Sequence, residues 1–415
     1  MKLTIFRCCG IVAAFFLVPF LAFAQAPDLK ALKARAEKGD AEAQYILGEL
    51  HTNGGSAALN FIEAFHWSGK AAAQGHVKAQ YRQAALYFDG QGAQRDLPKA
   101  TELFKKAAEG LRKLAEKGDA DAQMKLGTLH QRGLGVAQDS KEAFKWLKLS
   151  AEQKNTDAQS SLGAMHLLGV GTEKNVAEGV KWTRTAAEAG DPVAQGNLGV
   201  MFRDGNGVTR DVLEAIKWFR KAGDRGDVKS QFYLAGLYHN GSDGLGRDLV
   251  EAGKWYTKAA AQGHVKSQSE LGAMCLLGMG VAKDLKEGAN WTRKAAESGD
   301  AQAQDNLGIV YRDGLGVEKN AAEAAKWIQM SAAQTFPPGM LNCGILHFKG
   351  EGVKKDAAEA YKWLTLAIRR GEPRAVSMRE ELSKLIGPED IFEGLQRAQK
   401  FTGKAAEAQS ATSPK

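Results

Sequence analysis

The chain has 415 residues, of which 44% are hydrophobic and 25% are charged, a balance that excludes a collagen-like or intrinsically disordered protein. Its formal charge is +8, but it has no basic run of the kind that nucleic-acid binding needs, so we expect no nucleic-acid partner. The 47 glycines recur at fixed places, which indicates the turns of a repeated structure.

The first 24 residues carry the pattern of a secretory signal peptide. Lys2 and Arg7 precede an apolar run over 11–23, and small residues suit cleavage near Ala24. A run of about 13 apolar residues is shorter than the roughly 20 that a membrane helix needs, so we expect no membrane span after cleavage. The segment 1–24 therefore predicts a periplasmic or secreted protein, with an uncleaved anchor as the alternative.

Helical spacing begins directly after this segment. Leu29, Leu32 and Ala36 predict an N-terminal capping helix over 28–39. Such a helix is needed because the first repeat of a stack would otherwise expose its apolar face.

A period of about 36 residues governs the segment 40–370. Tryptophan, or once leucine, marks each repeat, and seven residues before it stands an Asn or Asp that can cap a helix start. A small residue follows four positions after each cap, on the same helical face as the tryptophan, which predicts a closely packed helix B. The marker positions are Trp67, Leu103, Trp146, Trp182, Trp218, Trp255, Trp291, Trp327 and Trp363. The caps are Asn60, Asp96, Asp139, Asn175, Asp211, Asp248, Asp284, Asn320 and Asp356.

A second amphipathic helix, helix A, is predicted before each helix B. Ala194, Leu198 and Phe202 have helical spacing, and Gly205 and Gly207 then permit a turn with positive φ. Because one helix pair cannot bury its own apolar face, the pattern predicts an all-α solenoid of nine stacked pairs with one continuous core.

This repeated pattern resembles the Sel-1-like repeat family, a relative of the tetratricopeptide repeats. The resemblance covers residues 40–370 and implies a right-handed superhelix with helices A on the concave face and helices B outside. It also implies adaptor roles, because exported bacterial members commonly serve envelope assemblies, signalling or host contact. The matching residues are Ala303, Gln304, Leu307, Gly308, Tyr311, Gly314, Gly316, Val317, Ala324 and Trp327.

Cysteine usage departs from one branch of that family. A cysteine-rich branch has been linked to β-lactam binding, whereas this chain has no cysteine pair in each repeat. Cys275 and Cys343 lie two repeats apart, and a disulfide needs Cα atoms within about 7 Å. We therefore expect two free, buried thiols.

One repeat is longer than the others. The spacing from Leu103 to Trp146 is 43 residues, and the extra segment around Gly110, Leu111 and Leu114 keeps helical spacing. It predicts either a tilt of repeats 1–2 against repeats 3–9 that creates a notch, or a longer helix B. At the other end, Leu382 and Phe392 belong to predicted capping helices over 371–402, and the polar segment 403–415 predicts a disordered tail.

No residue pattern predicts catalysis. Four histidines occupy the helix-A slot that elsewhere holds Tyr or Phe, and the motifs Ser-x-x-Lys and GxxxxGK(S/T) do not occur. We expect no metal and no cofactor. The alternative functions are a cell-envelope enzyme that acts on β-lactams or peptidoglycan, and a secreted factor for host contact. The histidines are His51, His130, His166 and His347.

A duplicated block supplies the candidate site. Residues 157–218 and 266–327 align without gaps, and 35 of the 62 aligned positions are identical. The sequence predicts a monomeric scaffold that binds a protein or peptide partner in its concave groove, with matching subsites in the two copies. A duplication without retained function is the alternative. The candidate partner-binding residues are Asn197, Arg203 and Asp204 in the first copy and Asn306, Arg312 and Asp313 in the second.

Overall fold

The computed structural model describes residues 29–53, 59–242 and 244–411, with side chains described as far as Phe401. The segment 1–24 that carries the signal-peptide pattern lies outside the described residues. The chain divides into two compact units, unit 1 over residues 1–225 and unit 2 over residues 226–415.

Helices A and B alternate in the described part of the chain, which contains no β-strand, so the fold is the all-α solenoid of helix pairs that the sequence predicts. The helices A are α2 (Ala41–Asn53), α4 (Val77–Asp89), α6 (Ala120–Arg132), α8 (Thr156–Leu168), α10 (Pro192–Asp204), α12 (Val228–Asn240), α14 (Val265–Leu277), α16 (Ala301–Asp313) and α18 (Pro337–Lys349). The helices B are α3 (Phe61–Ala73), α5 (Leu97–Glu116), α7 (Ser140–Glu152), α9 (Val176–Glu188), α11 (Val212–Asp224), α13 (Leu249–Ala261), α15 (Leu285–Glu297), α17 (Ala321–Ala333) and α19 (Ala357–Arg369). Helix α1 (Leu29–Glu37) precedes them, and α20 (Arg374–Leu385) and α21 (Pro388–Ala411) follow.

Side-chain caps start every helix B. All nine predicted Asn and Asp residues accept hydrogen bonds from backbone N–H groups of the first helical turn, as Asn60 does from Ile62 and Glu63. These bonds matter because the first N–H groups of a helix have no partner inside it. The prediction of the nine caps is confirmed.

In several repeats the second glycine of the turn is needed for close approach to the preceding repeat. A Cβ atom on Gly171 would lie 1.9 Å from the carbonyl oxygen of Ser140, and one on Gly352 would lie 1.9 Å from that of Ala321. In both cases the oxygen belongs to the first residue of the preceding helix B. A side chain at these positions would therefore push neighbouring repeats apart.

Helix α5 accounts for the longer repeat. It has 20 residues where the other helices B have 13, so the insertion forms a longer helix B, as one of the two alternatives predicts. Seven residues add about two turns, or roughly 10 Å. Gly135 lies against Phe104 and Lys105, seven residues further along the helix than the usual contact with the first residue. The turn of repeat 3 therefore packs beside the third turn of α5, and the first two turns of α5 extend past this contact.

The tryptophan column belongs to the core. Trp67, Trp146, Trp218, Trp255 and Trp363 are buried among apolar side chains. The other three tryptophans are half-buried, and a lysine ammonium lies within 6 Å of every one of the eight rings. The closely packed helix B that the sequence predicts is confirmed at the five buried tryptophans.

A glutamine clasp joins successive repeats. The Nε2 group of Gln123 donates to the carbonyl oxygen of Ala115 in the preceding helix B at 3.0 Å. Its Oε1 atom accepts from Gln153 Nε2, which belongs to the C-cap of the helix B in the same repeat, at 2.8 Å. In repeat 4 the C-cap is Ala189, and the buried Oε1 of Gln159 has no hydrogen-bond donor among the described residues. The clasp thus has both bonds in repeat 3, whereas in repeat 4 only the bond from Gln159 Nε2 to the carbonyl oxygen of Ala151 is present.

The terminal helices cover the end repeats. Leu32 and Ala36 of α1 pack with Leu47 and Trp67 of repeat 1. At the other end, α21 lies along α19, where Phe401 makes an edge contact with Trp363 at a ring distance of 5.2 Å. Helix α21 continues to Ala411, into the segment where the sequence predicts a disordered tail, and residues 412–415 lie outside the described part.

Candidate partner-binding face

Within each unit, polar side chains of helices A contact the neighbouring helices A. The residue two positions after the recurring glutamine marks this row, which we call the helix-A face. Its members are half-buried or buried and differ in chemistry from repeat to repeat. They are Ile46, Arg82, Lys125, Ser161 and Asn197 in unit 1, and Tyr233, Glu270, Asn306 and Asn342 in unit 2, where Met340 takes the place of the glutamine before Asn342.

Repeats 1 and 2 are joined on this face by a buried ion pair. Arg82 donates from Nε to Glu49 Oε1 at 2.5 Å and from Nη2 to Glu49 Oε2 at 2.6 Å. The side chains are only 5% and 12% exposed. Burial alone would lower the pKa of Arg82, but the facing carboxylate raises it well above its ordinary value. Arg82 therefore keeps its charge in this buried site, and its two bonds to Glu49 join α4 to α2.

Repeats 2 and 3 share a second network of charges. Lys78 lies 3.0 Å from Asp119 and 3.1 Å from Asp121, and Lys125 also pairs with Asp121. Burial acts to raise the pKa of Asp121, but Lys125 and Lys78 outweigh it and lower that pKa to about 2. This carboxylate stays ionised at every physiological pH.

Asp157 of repeat 4 is different. No hydrogen bond or ion pair to its carboxylate occurs among the described residues. Burial and the negative charge of Asp191 raise its pKa to about 7. Near neutral pH this side chain is therefore divided between its charged and neutral forms.

Unit 2 contains a comparable buried acid. Asp305 of α16 is 3% exposed, and its two oxygens accept from Asn342 Nδ2 of α18 at 2.9 and 3.0 Å. Burial raises the pKa of Asp305 to about 6, although the bond from Asn342 acts in the opposite direction. The acid connects repeats 8 and 9 on the helix-A face.

The structure places the predicted site residues at equivalent positions of α10 and α16. Asn197 and Asn306 lie half-buried on the helix-A face. Arg203 binds its neighbour Asp204 through two bonds of 2.7 and 2.8 Å. The Arg–Asp pair of the second copy, Arg312 with Asp313, has the same geometry at 2.8 and 2.9 Å. Each arginine is thus presented next to a carboxylate, and the two copies belong to different units.

Other residues shared by the duplicated block have packing roles. A Cβ atom on Gly163 would lie 2.6 Å from Thr183 Oγ1, and one on Gly179 would lie 2.6 Å from Leu167 Cγ. Threonine and leucine are therefore matched to glycines on the facing helix. The second copy repeats both pairs, as Gly272 with Thr292 and Gly288 with Leu276.

The acids Asp157 and Asp305 of helices A were not predicted from the sequence. Asp157 and Asp305 occupy positions that vary between repeats, so the consensus hides them. Aligning the starts of successive helices A would have revealed that Asp157 faces another acid, Asp191, one repeat later. Asp305 carries no comparable signal, because its burial depends on α18.

The described residues contain no group of three or more His, Cys, Asp or Glu that could hold a metal ion. Cys275 and Cys343 are buried and free, as predicted. His166 packs against Phe144 at a ring distance of 5.2 Å. No helix in the described part of the chain is both long and apolar enough to cross a membrane.

Comparison with known proteins gives a family match along most of the chain. The Sel1 repeat model matches nine segments, which are residues 41–76, 77–110, 120–155, 156–191, 192–227, 228–264, 265–300, 301–336 and 337–372. The chain is 30% identical over 108 residues to the Sel1-repeat-containing protein YjcO of Escherichia coli K12, a match that covers 26% of this chain. It spans 45% of that relative, which is less than half of its length.

Solved structures are similar too. A Sel1 repeat protein from Oxalobacter formigenes is 33% identical, with 56% of this chain and 94% of that chain covered and a TM-score of 0.50. The protective antigen c5321 of uropathogenic Escherichia coli, described as displaying an SLR fold, is 27% identical, with 94% and 98% covered and a TM-score of 0.45.

Proposed function

The chain belongs to the Sel1 repeat family, and from that premise we propose that it is a non-catalytic scaffold that holds a protein or peptide partner against its helix-A face. Sel1 repeats mediate protein–protein interactions, and their fold is generally a scaffold without catalysis. An envelope enzyme acting on β-lactams or peptidoglycan is the weaker alternative.

One contrast between the two sides of the repeats carries this proposal. The tryptophan positions of helices B, which we call the helix-B column, repeat the same pairing of tryptophan with lysine, and this pairing belongs to the core. The helix-A face changes from arginine to serine to asparagine to tyrosine along the chain. Variation on a constant scaffold is what recognition of one particular partner requires.

The partner is expected in the bacterial envelope or outside the cell, because the apolar run over 11–23 and the small residues near Ala24 favour export. Cell fractionation with N-terminal sequencing of the mature protein tests this part. A cytoplasmic chain with an intact N-terminus would contradict export and leave the scaffold proposal standing.

Site-specific photocrosslinking tests the binding face. A photoreactive residue replaces Ser161, Asn197 or Asn306 on the helix-A face, and Lys181 or Lys286 on helices B provides matched exposed controls. Crosslinking in intact cells that express the full chain, followed by mass spectrometry, identifies the captured protein.

We expect one protein to be captured from the helix-A positions and not from the helix-B positions. Equal capture from both sides would refute a specific helix-A face. Hydrolysis of a chromogenic β-lactam or of peptidoglycan fragments by the purified protein would favour the enzyme alternative.

A further inference from the structure

At several junctions between repeats of the same unit, two positions near the starts of helices A lie close together. They are the second residue of one helix A and the N-cap residue of the next. At three of these junctions the two residues can carry opposite charges, so that they attract each other when both are ionised. The three pairs are Glu42 with His76 at 3.0 Å, Lys78 with Asp119 at 3.0 Å, and Lys266 with Asp300 at 2.5 Å.

Two junctions combine groups of like charge at the same positions. In unit 1, Asp157 of repeat 4 is matched with Asp191 of repeat 5, and both are acids. In unit 2, Lys229 of repeat 6 is matched with His264 of repeat 7, and both are bases. Repulsion at either junction disappears when one of its two groups is neutral.

The surroundings of Asp157 favour its neutral form. Apart from burial, the groups that act on it most are Asp191 at the start of α10, Lys125 and Asp121 of α6, and Arg82 of α4. None of these comes from α7 or α9, which pack against α8. The positive charge of Lys125 is already engaged by Asp121. Together these effects place the pKa of Asp157 at about 7.

Asp191 also caps a helix, and this role needs its carboxylate as a hydrogen-bond acceptor. As the N-cap of α10, its Oδ1 atom accepts from the backbone N–H of Ala194 at 2.5 Å. Losing its charge would weaken this bond, because bonds to ionised acceptors are the stronger ones. Asp157 has no such bond, so a proton from solvent settles on Asp157.

His264 also caps a helix, but with the opposite response to acid. Its Nδ1 atom accepts from the backbone N–H of Ser267 at 3.2 Å, which requires a ring without a proton on that nitrogen. Burial and the charge of Lys229 on α12 lower the pKa of His264, and no charge from α13, α15 or α16 contributes. Protonation therefore removes a capping bond and adds a repelling charge.

We propose that these two junctions are proton-controlled and respond in opposite directions. Mild acid tightens the contact between repeats 4 and 5 in unit 1 and loosens the start of repeat 7 in unit 2. The proposal stands independently of the partner and adds a conformational response to the scaffold. An exported protein meets the pH of its surroundings, so such a response would act on it directly.

The direction follows from linkage between proton binding and folding. The pKa of Asp157 is higher in the folded chain than its ordinary value of 3.8, so the folded form gains from proton uptake, and this gain is lost as the pH rises through about 7. For His264 the pKa in the folded chain is lower than 6.5, so stability is lost as the pH falls below 6.5.

Hydrogen exchange with mass spectrometry tests both junctions in one sample of the full chain. Exchange is measured at pH 5.5 and 7.5 and corrected for the pH dependence of the intrinsic rates. We expect the starts of α8 and α10 to become roughly tenfold more protected at pH 5.5 if opening exposes Asp157. The first turn of α14 should become less protected under the same conditions.

Four variants assign the effects. Asp157→Asn, which is always neutral, should give acid-like protection at both pH values, and His264→Asn should remove the response of α14 while keeping a cap. Glu173→Gln, at an exposed acid in the turn after α8, should leave both responses unchanged. If Asp157→Asn does not fold, Asp191→Asn keeps the cap and should shift the midpoint to lower pH. A response of α8 that survives Asp157→Asn, or a midpoint that Asp191→Asn leaves unchanged, would overturn the proposal.

Discussion

The helix-B column and the helix-A face are built from the same nine repeats, yet they are constrained differently. On the helix-B column, a buried tryptophan recurs with a lysine over its ring, as at Trp218 with Lys221 and Trp255 with Lys258. On the helix-A face, equivalent positions hold a buried arginine in repeat 2 and a serine in repeat 4. The repeated residues of the helix-B column thus specify the fold, and we expect the variable residues of the helix-A face to specify the partner.

The largest effect should come from the helix-B column. Trp218→Ala removes a buried aromatic side chain and should lower the free energy of unfolding by about 3–5 kcal/mol, measured by chemical denaturation. Neighbouring repeats should lose protection together, because each repeat is stabilised by its contacts with the next.

Trp182→Ala is the matched control for that change. Trp182 has the same position in its repeat but is only half-buried, so its removal should cost clearly less. If Trp218→Ala left stability unchanged, the column would not be the core, and the contrast between the two sides of the repeats would fail.

The buried pair of Glu49 and Arg82 should give the next largest effect. Glu49→Ala leaves a charged guanidinium buried without a partner and should lower the free energy of unfolding by about 3 kcal/mol. The double change of Glu49→Leu with Arg82→Met removes both charges and should be much less destabilising. Lys217→Ala, at an exposed pair with Glu214, should cause no measurable change in denaturation midpoint.

Much of the fold could be predicted from the sequence, because the same residue types recur at the same positions of each repeat. The tryptophans, the nine caps and the paired glycines all follow one period, and a pattern that recurs so often does not arise by chance. The length of α5 was foreseen only as one of two alternatives, since an insertion of two turns keeps helical spacing in either case. The junction of Asp157 with Asp191 was not predicted, because it depends on which residues meet across repeats.

The glutamine clasp allows a smaller, constructive test. Gln153→Ala removes the donor to Gln123 Oε1, leaving that buried oxygen unpaired, and should cost about 1 kcal/mol. Repeat 4 lacks this donor, because its C-cap is Ala189. Ala189→Gln places a donor opposite the unpaired Oε1 of Gln159 in the same repeat and should stabilise the chain by about 0.5–1 kcal/mol. Denaturation curves for both variants measure the two signs, and a destabilising Ala189→Gln would mean that the repeats are not equivalent at this position.

The smallest change in stability should accompany the largest change in binding. Arg203→Ala and Arg312→Ala remove side chains that each bind the adjacent aspartate of their own helix through two bonds of 2.7 to 2.9 Å. Each variant should alter the free energy of unfolding by no more than about 0.5 kcal/mol.

Arginine can bind a carboxylate through two parallel bonds. A partner carboxylate that displaces Asp204 or Asp313 would therefore meet a guanidinium group already oriented for two bonds. Capture of the photocrosslinked partner should therefore fall in each single variant and most in the double variant, whereas Lys181→Ala on helix B should leave it unchanged. Full capture by the double variant would mean that the duplication records ancestry alone, and the contact would then have to be sought beside the first two turns of α5, which extend beyond the turn of repeat 3.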